Sequence, residues 1–319
     1  MREVSVVIPN YNGIDFIDNC IKALKNQKDD IPFDIIVVDN HSTDGSRELV
    51  QQKYPEAELI SLDENYGFCK AVNVGIKAAK TPYVILLNND TQVLDGFVKN
   101  LYHSINRNKN VFSVSSMMIQ AKKKEWIDDA GDYYCALGWA FARGKDKPVE
   151  QYEKPCEVTA ACGGASIYRK QVFETIGYFD EIHFAYLEDI DIGYRARLYG
   201  YKNIYEPKAK VYHEGSGASG SRYNEFKVKH SSRNSIYIIR KNMPWIQRIL
   251  NFPFFMAGFF VKTLFFVKKG MGRTYIKGLI AGIKLPVKNK KVSFQMKYLK
   301  NYVRLQLELW WNVVRKLTG

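Results

Sequence analysis

Acidic residues almost vanish from the last third of this 319-residue chain: residues 231–319 hold 18 Lys/Arg and one acid, Glu308. Such a segment cannot balance its own charge and calls for an anionic partner, either nucleic acid or an acidic membrane face. Residues 1–200 carry 23 Lys/Arg against 29 Asp/Glu and residues 201–319 carry 24 against 4, so the net +14 comes from the second part alone. Paired cysteines are missing too. The five (Cys20, Cys69, Cys135, Cys156, Cys162) are odd in number, scattered and without a CxxC. That argues against a disulfide framework or a zinc site and fits a reducing compartment. The opening Met1-Arg2-Glu3-Val4 runs straight into a strand pattern with no leader-like stretch, so cytosolic exposure is expected. There are no internal repeats or low-complexity tracts, and the first strand is not followed by GxGxxG, which argues against a dinucleotide-type Rossmann site.

What the chain does have is alternation. Val4–Ile8, Phe33–Asp39, Glu58–Leu62, Tyr83–Leu87 and Val111–Ile119 are short apolar, β-branched runs bounded by turn residues and read as strands. Between them Ile14–Gln27, Ser46–Tyr54, Gly67–Lys80 and Asp95–Asn106 show helical spacing. Strands alternating with helices predict a mostly parallel sheet covered on both faces. Residues 122–158 read as irregular, rich in glycine and aromatics. A short helix over Gln171–Gly177, a helix carrying Leu187-Glu188-Asp189-Ile190-Asp191 and closed by Gly200, and a last strand over 201–213 complete the α/β part.

The Tyr83–Leu87 run stops in Asn88-Asn89-Asp90-Thr91. On its own this is a polar turn. At the carboxyl edge of an open α/β sheet, where such folds bind ligands, Asp90 is also a hard oxygen ligand suited to Mg2+ or Mn2+, ions that hold diphosphates.

Several motifs in order resemble the family-2 glycosyltransferases with the GT-A fold, over roughly residues 3–235. Val6-Val7-Ile8-Pro9-Asn10-Tyr11-Asn12 resembles that family's first strand and turn, and Val37-Val38-Asp39-Asn40-x-Ser42-x-Asp44-Gly45 its second. Asn65-Tyr66-Gly67-Phe68 with Asn73 is similar to its helix start, and Leu87-Asn88-Asn89-Asp90 stands in the place of its DxD motif. The resemblance implies a mixed sheet flanked by helices and a nucleotide site. Pro9 and Tyr11 would wall the base, Asp39 would accept from a pyrimidine N–H or ribose hydroxyl, and Asn12, Asn65, Asn73 and Asn89 would complete the pocket. Gly67 would let phosphate approach a helix start. Asp90 would bind the metal; Asn88 departs from the strict motif, since an amide carries no charge. His213, within Val211-Tyr212-His213-x-x-Ser216-Gly217, is either a second ligand or a structural histidine. Glu188-Asp189 resembles the acidic pair beneath the acceptor, with Asp189 as the base that takes the acceptor hydroxyl's proton in an inverting transfer. Read without the resemblance, Glu188, Asp189 and Asp191 simply favour a helix N-terminus. Gly163-Gly164-Ala165 would shape the acceptor and donor pocket, and Arg233 would reach the diphosphate.

Asp129-Ala130-Gly131 and Tyr186-x-Glu188-Asp189-x-Asp191 look most like rhamnosyltransferase-type enzymes of cell-surface polysaccharide assembly. The implied donor is dTDP-rhamnose or a UDP-sugar, and the implied acceptor a polyprenyl-diphosphate-linked or glycan hydroxyl. A non-catalytic scaffold on a decayed transferase fold is the alternative. The division expected is 1–235 for the transferase and 236–319 for a basic helical extension. Within the latter Ile249–Val267 is apolar with seven phenylalanines, long enough to span a bilayer, yet its Lys262, Pro253 and basic flanks suit a helix lying in the interface. Leu299, Val303, Leu307, Trp310, Val314 and Leu317 give a second amphipathic segment. With Phe and Trp interleaved among the basic residues and no nucleic-acid motif, the expected partner is an anionic membrane rather than nucleic acid, at the cytoplasmic face.

Overall fold

The computed structural model describes residues 2–28, 31–215, 223–287 and 290–318. The first half alternates as the apolar runs dictate: β1 (Val4–Asn10), α1 (Ile17–Lys25), β2 (Phe33–Asp39), α2 (Ser46–Lys53), β3 (Glu58–Ser61), α3 (Phe68–Ala78) and β4 (Tyr83–Leu87). Next come β5 (Thr91–Val93), α4 (Phe97–Asn106), β6 (Val111–Gln120), β7 (Lys123–Asp129), β8 (Asp132–Tyr134), β9 (Ala140–Ala142) and β10 (Cys156–Val158). The α/β part ends with β11 (Ala165–Arg169), α5 (Lys170–Ile176), α6 (Glu188–Leu198) and β12 (Lys202–His213). Four helices follow: α7 (Glu225–Asn242), α8 (Trp245–Lys268), α9 (Gly272–Lys284) and α10 (Leu299–Thr318).

The main sheet runs β10-β12-β6-β11-β4-β1-β2-β3. β4, β1, β2 and β3 are parallel to one another, as alternation predicts. β11 is not: it lies antiparallel between β4 and β6. The chain leaves β6 at the sheet's carboxyl edge and re-enters there, with Ala165 opposite Leu87, so β11 can only run back. The sheet is therefore mixed. Successive β1 residues serve opposite layers. Val4, Val6 and Ile8 pack with Ile17, Ile21 and Leu24 of α1 and with Phe97 and Leu101 of α4. Val7 packs with Val72 and Ile76 of α3, Phe173 of α5 and Ile192 of α6.

Residues 122–158, expected to be irregular, contain β7 to β10. Three of those strands are only three residues long, too short for a two-residue period to show in sequence, and β7 is mostly charged and exposed. The turn after β4 likewise opens a three-residue strand, β5, which pairs with β12.

The C-terminal helices are fastened to the α/β part by buried charge. Asp191 on α6 accepts from Arg195 (2.7 Å), from Lys241 on α7 (2.9 Å) and from Asn242 (2.9 Å). Burial alone would raise this carboxyl; Arg195 and Lys241 hold it well below the usual carboxylate range. The stabilisation is thus present above the unfolded carboxyl range of about 4 and fades as acid protonates the group. Asp191→Asn keeps the volume but leaves buried Arg195 without its carboxylate and Lys241 with Asp180 alone (2.8 Å), so we expect a loss of ~3–5 kcal/mol in denaturant unfolding at neutral pH. α10 is held by Glu308 on Arg197 (2.5 Å) and by Asn312, which donates to the Tyr134 carbonyl (2.9 Å). The charge-based division at 235/236 falls inside α7.

Candidate active site

The turn after β4 is locked from three directions. The Asn88 amide donates to the Gly164 carbonyl (2.8 Å), and the Asn88 carbonyl accepts from the Thr91 hydroxyl (2.6 Å) and the Cys20 thiol (3.6 Å). Thr91 then opens β5 directly opposite His213 in the ladder with β12. That register brings Asp90 Oδ1 to 3.3 Å from His213 Nε2. The other imidazole nitrogen, Nδ1, lies 2.7 Å from Asp128 Oδ2, and Asp128 is paired in turn with Lys145. Burial works against a charged His213, but the Asp128 and Asp90 carboxylates hold its pKa up to about 10. Asp128, despite burial, is held down to about 2 by His213. An imidazole oriented at one nitrogen by a carboxylate while the other faces a hard oxygen ligand is the usual support of a metal-binding histidine. Asp128 was not among the residues expected from sequence, because it lies on β7, within the stretch that read as irregular. Ser216 and Gly217, which complete the motif around His213, lie outside the described residues.

The strand tips of β1 and β2 form the adjoining wall. Asn10 donates to Asp39 (2.9 Å) and Ser46 (2.9 Å) and accepts from Asn89 (2.8 Å), so three loops share one buried amide. Asp39 is fully buried; its carboxylate also accepts from the Ser42 amide (3.0 Å) and shapes the loop after β2. Asn12 bonds the same loop through the Thr43 amide (2.9 Å). Pro9 is half-buried, while the Tyr11 ring is 41% exposed and free to serve as a stacking face. Gly13, also not anticipated, fits closely beneath Asn89: a Cβ there would fall 2.1 Å from the amide nitrogen.

Asn65 accepts from Asn40 (2.9 Å) and from the Gly67 amide (3.0 Å), fixing the entry to α3. Gly67 has φ +82°, and a Cβ there would meet the Phe184 ring and carbonyl at 2.6 Å, so glycine is required on both counts. Asn73 faces elsewhere. Its amide spans Phe179 (2.8 and 3.1 Å) and Glu181 (3.1 Å), tying α3 to the segment that leads into α6.

That segment is strained. Phe184, Tyr186 and Leu187 all have φ between +60° and +70° without being glycine, a cost of ~1–3 kcal/mol each that surrounding contacts must offset. Asn234 supplies them, donating to the carbonyls of His183 (3.0 Å), Ala185 (3.0 Å) and Tyr186 (2.7 Å). Arg233 donates to the carbonyls of Ile182 (2.9 Å) and His183 (2.7 Å), so the structure engages its guanidinium with this loop. The strain resolves at the start of α6, where Glu188 and Asp189 occupy the first turn.

Around them lies a set of acids that sequence left without a role. Asp129, Asp132 and Cys162 bring their ligand atoms within 4.8 Å of one another. Burial pushes Asp129 up to about 7 and Asp132 well above the carboxylate range. Glu188 is pushed up to about 8 by burial and then by Asp189, and among the described residues its Oε2 finds no hydrogen-bond partner. Asp189 is half-buried and raised by burial, but the Ile190 amide and a hydrogen bond from Asp132 favour its ionised form. Burial thus raises both Asp132 and Asp189, and the two titrate as a coupled pair. Residues 128–132 thus join the Asp90–His213 pair to the Glu188–Asp189 pair. Gly163 and Gly164 close the space between, a Cβ meeting Phe68 at 3.3 Å and Asn88 at 3.1 Å respectively, and Ala165 pairs with Leu87.

The sequence pattern described as "Glycosyl transferase family 2" matches residues 5–177. The N-acetylglucosaminyl-diphospho-decaprenol L-rhamnosyltransferase of Mycobacterium tuberculosis is 25% identical over 239 residues, 67% of this chain and 77% of that protein. Staphylococcus aureus TarS 1–349, solved with UDP-GlcNAc, superposes with a TM-score of 0.60 at 19% identity, over 98% of this chain and 92% of that one. GalNAc-T7, solved with UDP, GalNAc and Mn2+, gives a TM-score of 0.62 at 15% identity, over 75% of this chain and 48% of the longer protein. At these identities the two structures speak for the GT-A fold.

Proposed function

The chain belongs to the family-2 glycosyltransferases, and on that premise we propose an inverting transfer from a nucleotide-diphosphate sugar, dTDP-rhamnose or a UDP-sugar, to a hydroxyl of a lipid-linked or polysaccharide acceptor. The observation that carries it is the acidic head of α6, where Asp189 is half-exposed, accepts from the Ile190 amide (2.7 Å) and stands beside a buried Glu188. A carboxylate so placed takes the proton of an acceptor hydroxyl while that oxygen attacks the sugar's anomeric carbon from the face opposite the diphosphate. The bond to the diphosphate breaks as the new glycosidic bond forms, and configuration inverts. Asp39, Asn10, Asn12 and Tyr11 hold the nucleoside; Gly67 and the start of α3 receive phosphate. Asn65 and Asn89 keep these loops in place, Asn73 and Arg233 brace the acceptor loop, and Gly163 to Ala165 bound the sugar's space.

Asp90 and His213 would hold a divalent ion, Mg2+ or Mn2+, with Asp128 orienting the imidazole. Their fit rests on the 3.3 Å approach of a hard oxygen to an imidazole nitrogen. When bound, the ion supplies positive charge against the leaving diphosphate. The Mn2+ present with UDP in GalNAc-T7 supports the same class of cofactor. The L-rhamnosyltransferase named for a diphospho-decaprenol acceptor supports a lipid-linked acceptor; the place of work proposed with it is the cytoplasmic face of the membrane.

A turnover screen of UDP-, dTDP- and GDP-sugars with Mg2+ or Mn2+ tests the reading; no response to any donor would sink it. The acid pair makes a finer prediction. Removing the donor in Asp132→Ala destabilises the Asp189 carboxylate, so the acid limb of kcat/KM should move to higher pH. Asp132→Asn, which still donates, should leave the limb near its original place. A limb unmoved in both variants would show that Asp132 does not tune the base.

A further inference from the structure

α8 presents two unlike faces. Trp245, Ile249, Phe252, Met256, Phe260 and Leu264 are exposed along its length, while Gln247, Asn251, Phe255 and Gly258 form a buried stripe at helical spacing. Among the described residues α8 is the one helix long and apolar enough to cross a bilayer. The buried stripe forbids that arrangement. Gln247 accepts from Tyr194 of α6 (2.8 Å), and Asn251 exchanges two hydrogen bonds with Gln306 of α10 (2.9 and 2.8 Å). A Cβ at Gly258 would fall 2.3 Å from the Leu137 carbonyl. Lys262 turns inward, its ammonium 5.3 Å over the Trp139 ring, and half-buried Arg248 borders the outer face beside Trp245, Ile249 and Phe252. To span, α8 would have to break this polar stripe or drag α6 and α10 into lipid.

We propose that α8 lies flat on an anionic bilayer, its outer face in the boundary between headgroups and acyl chains. Charge complementarity selects this occupant. The single acid of residues 231–319, Glu308, faces inward on Arg197, whereas Lys268, Lys269 and Arg273 are exposed at the end of α8 and the start of α9. Such a surface attracts acidic headgroups while the aromatic and aliphatic face enters the boundary. α10 extends the platform: Trp310 donates to Asn251 (3.0 Å), and Trp311 and Leu307 are exposed. The same end of α8 is linked to the acceptor loop by aromatic contacts. Phe265 packs on Tyr223 (5.5 Å), and Phe226 packs on Tyr186 (6.0 Å), two residues before Glu188. Resting on the transferase reading, this places the catalytic acids where a membrane-held acceptor arrives.

The test uses the full chain with phosphatidylcholine vesicles, with or without phosphatidylglycerol. Flotation should require the anionic lipid, reverse in high salt, and fall about tenfold or more both in Phe252→Asp/Phe260→Asp and in Lys268→Glu/Lys269→Glu. Donor turnover with a water-soluble acceptor should be unchanged in both variants, which shows that they fold. Resistance to alkaline carbonate extraction would mean that α8 spans. Failure to float, with a concentration-dependent dimer that Phe252→Asp/Phe260→Asp dissolves, would assign the face to a second copy. Either outcome overturns the proposal while turnover persists. Loss of turnover with flotation intact would instead refute the transferase reading alone.

Discussion

Asp189→Asn is expected to lower kcat by ~10²- to 10⁴-fold, the usual worth of a positioned general base, with the KM for donor nearly unchanged. The reasoning is local. Asn keeps the volume, the Ile190 contact and the start of α6, but it cannot take a proton. Burial raises both acids of the pair, while the Ile190 amide and Asp132 favour the ionised form of Asp189. Glu188 is the control. Its carboxyl is buried and pushed up to about 8, so near neutral pH it is largely protonated and a poor base. Glu188→Gln should therefore cost less than Asp189→Asn. Single-turnover rates with a saturating donor would decide the order; a larger loss in Glu188→Gln would reverse the assignment.

Asp90→Ala is expected to lower turnover by about 10²- to 10³-fold, comparable with removing a preorganised group that stabilises developing negative charge. Its signature differs from that of Asp189→Asn. Donor binding should weaken and the response to added Mg2+ or Mn2+ should flatten, because Asn88 brings no second carboxylate to this turn. Asp128→Asn should have an intermediate effect, about 10- to 100-fold in metal affinity, because it leaves Asp90 and His213 in place but no longer anchors the imidazole. Titration of donor-analogue binding against Mn2+ separates the three. Equal metal dependence in Asp90→Ala and the unaltered protein would remove the metal from this site.

The central alternation was legible because β1, β2 and β4 are buried on both faces and read as unbroken apolar runs. β7 to β10 were not legible: β7 is mostly charged and exposed, and the three-residue strands β8 to β10, stabilised by their neighbours, have no period of their own. For the same reason Asp128, Asp129 and Asp132 stood in a stretch that looked irregular, although Asp129-Ala130-Gly131 was noticed as a motif. Asn73 was expected to complete the nucleotide pocket and Arg233 to reach the diphosphate, whereas both bond the segment that leads into α6. Which way an amide or a guanidinium turns is set by carbonyls elsewhere in the chain, here those of Phe179 and of Ile182 and His183.

The sequence by itself determined the family, the order of strands and helices through β6 apart from the short β5, the acidic strand tip at Asp90 and the acidic head of α6. These are local facts, written in apolar periods and in short motifs with a chemical reason. The amphipathic pattern of the C-terminal helices was equally local, and the face of α10 it marked out is the exposed one. Tertiary structure alone decided that Asp90 meets His213, because one antiparallel register between β5 and β12 sets Thr91 opposite His213. It brought Asp132 of β8 against Asp189 of α6, 57 residues apart in the chain, so that the two titrate as a coupled pair. It also decided the posture of α8. An apolar run of this length is compatible with spanning or lying flat, and only the polar stripe formed by Gln247 and Asn251 against α6 and α10 separates the two.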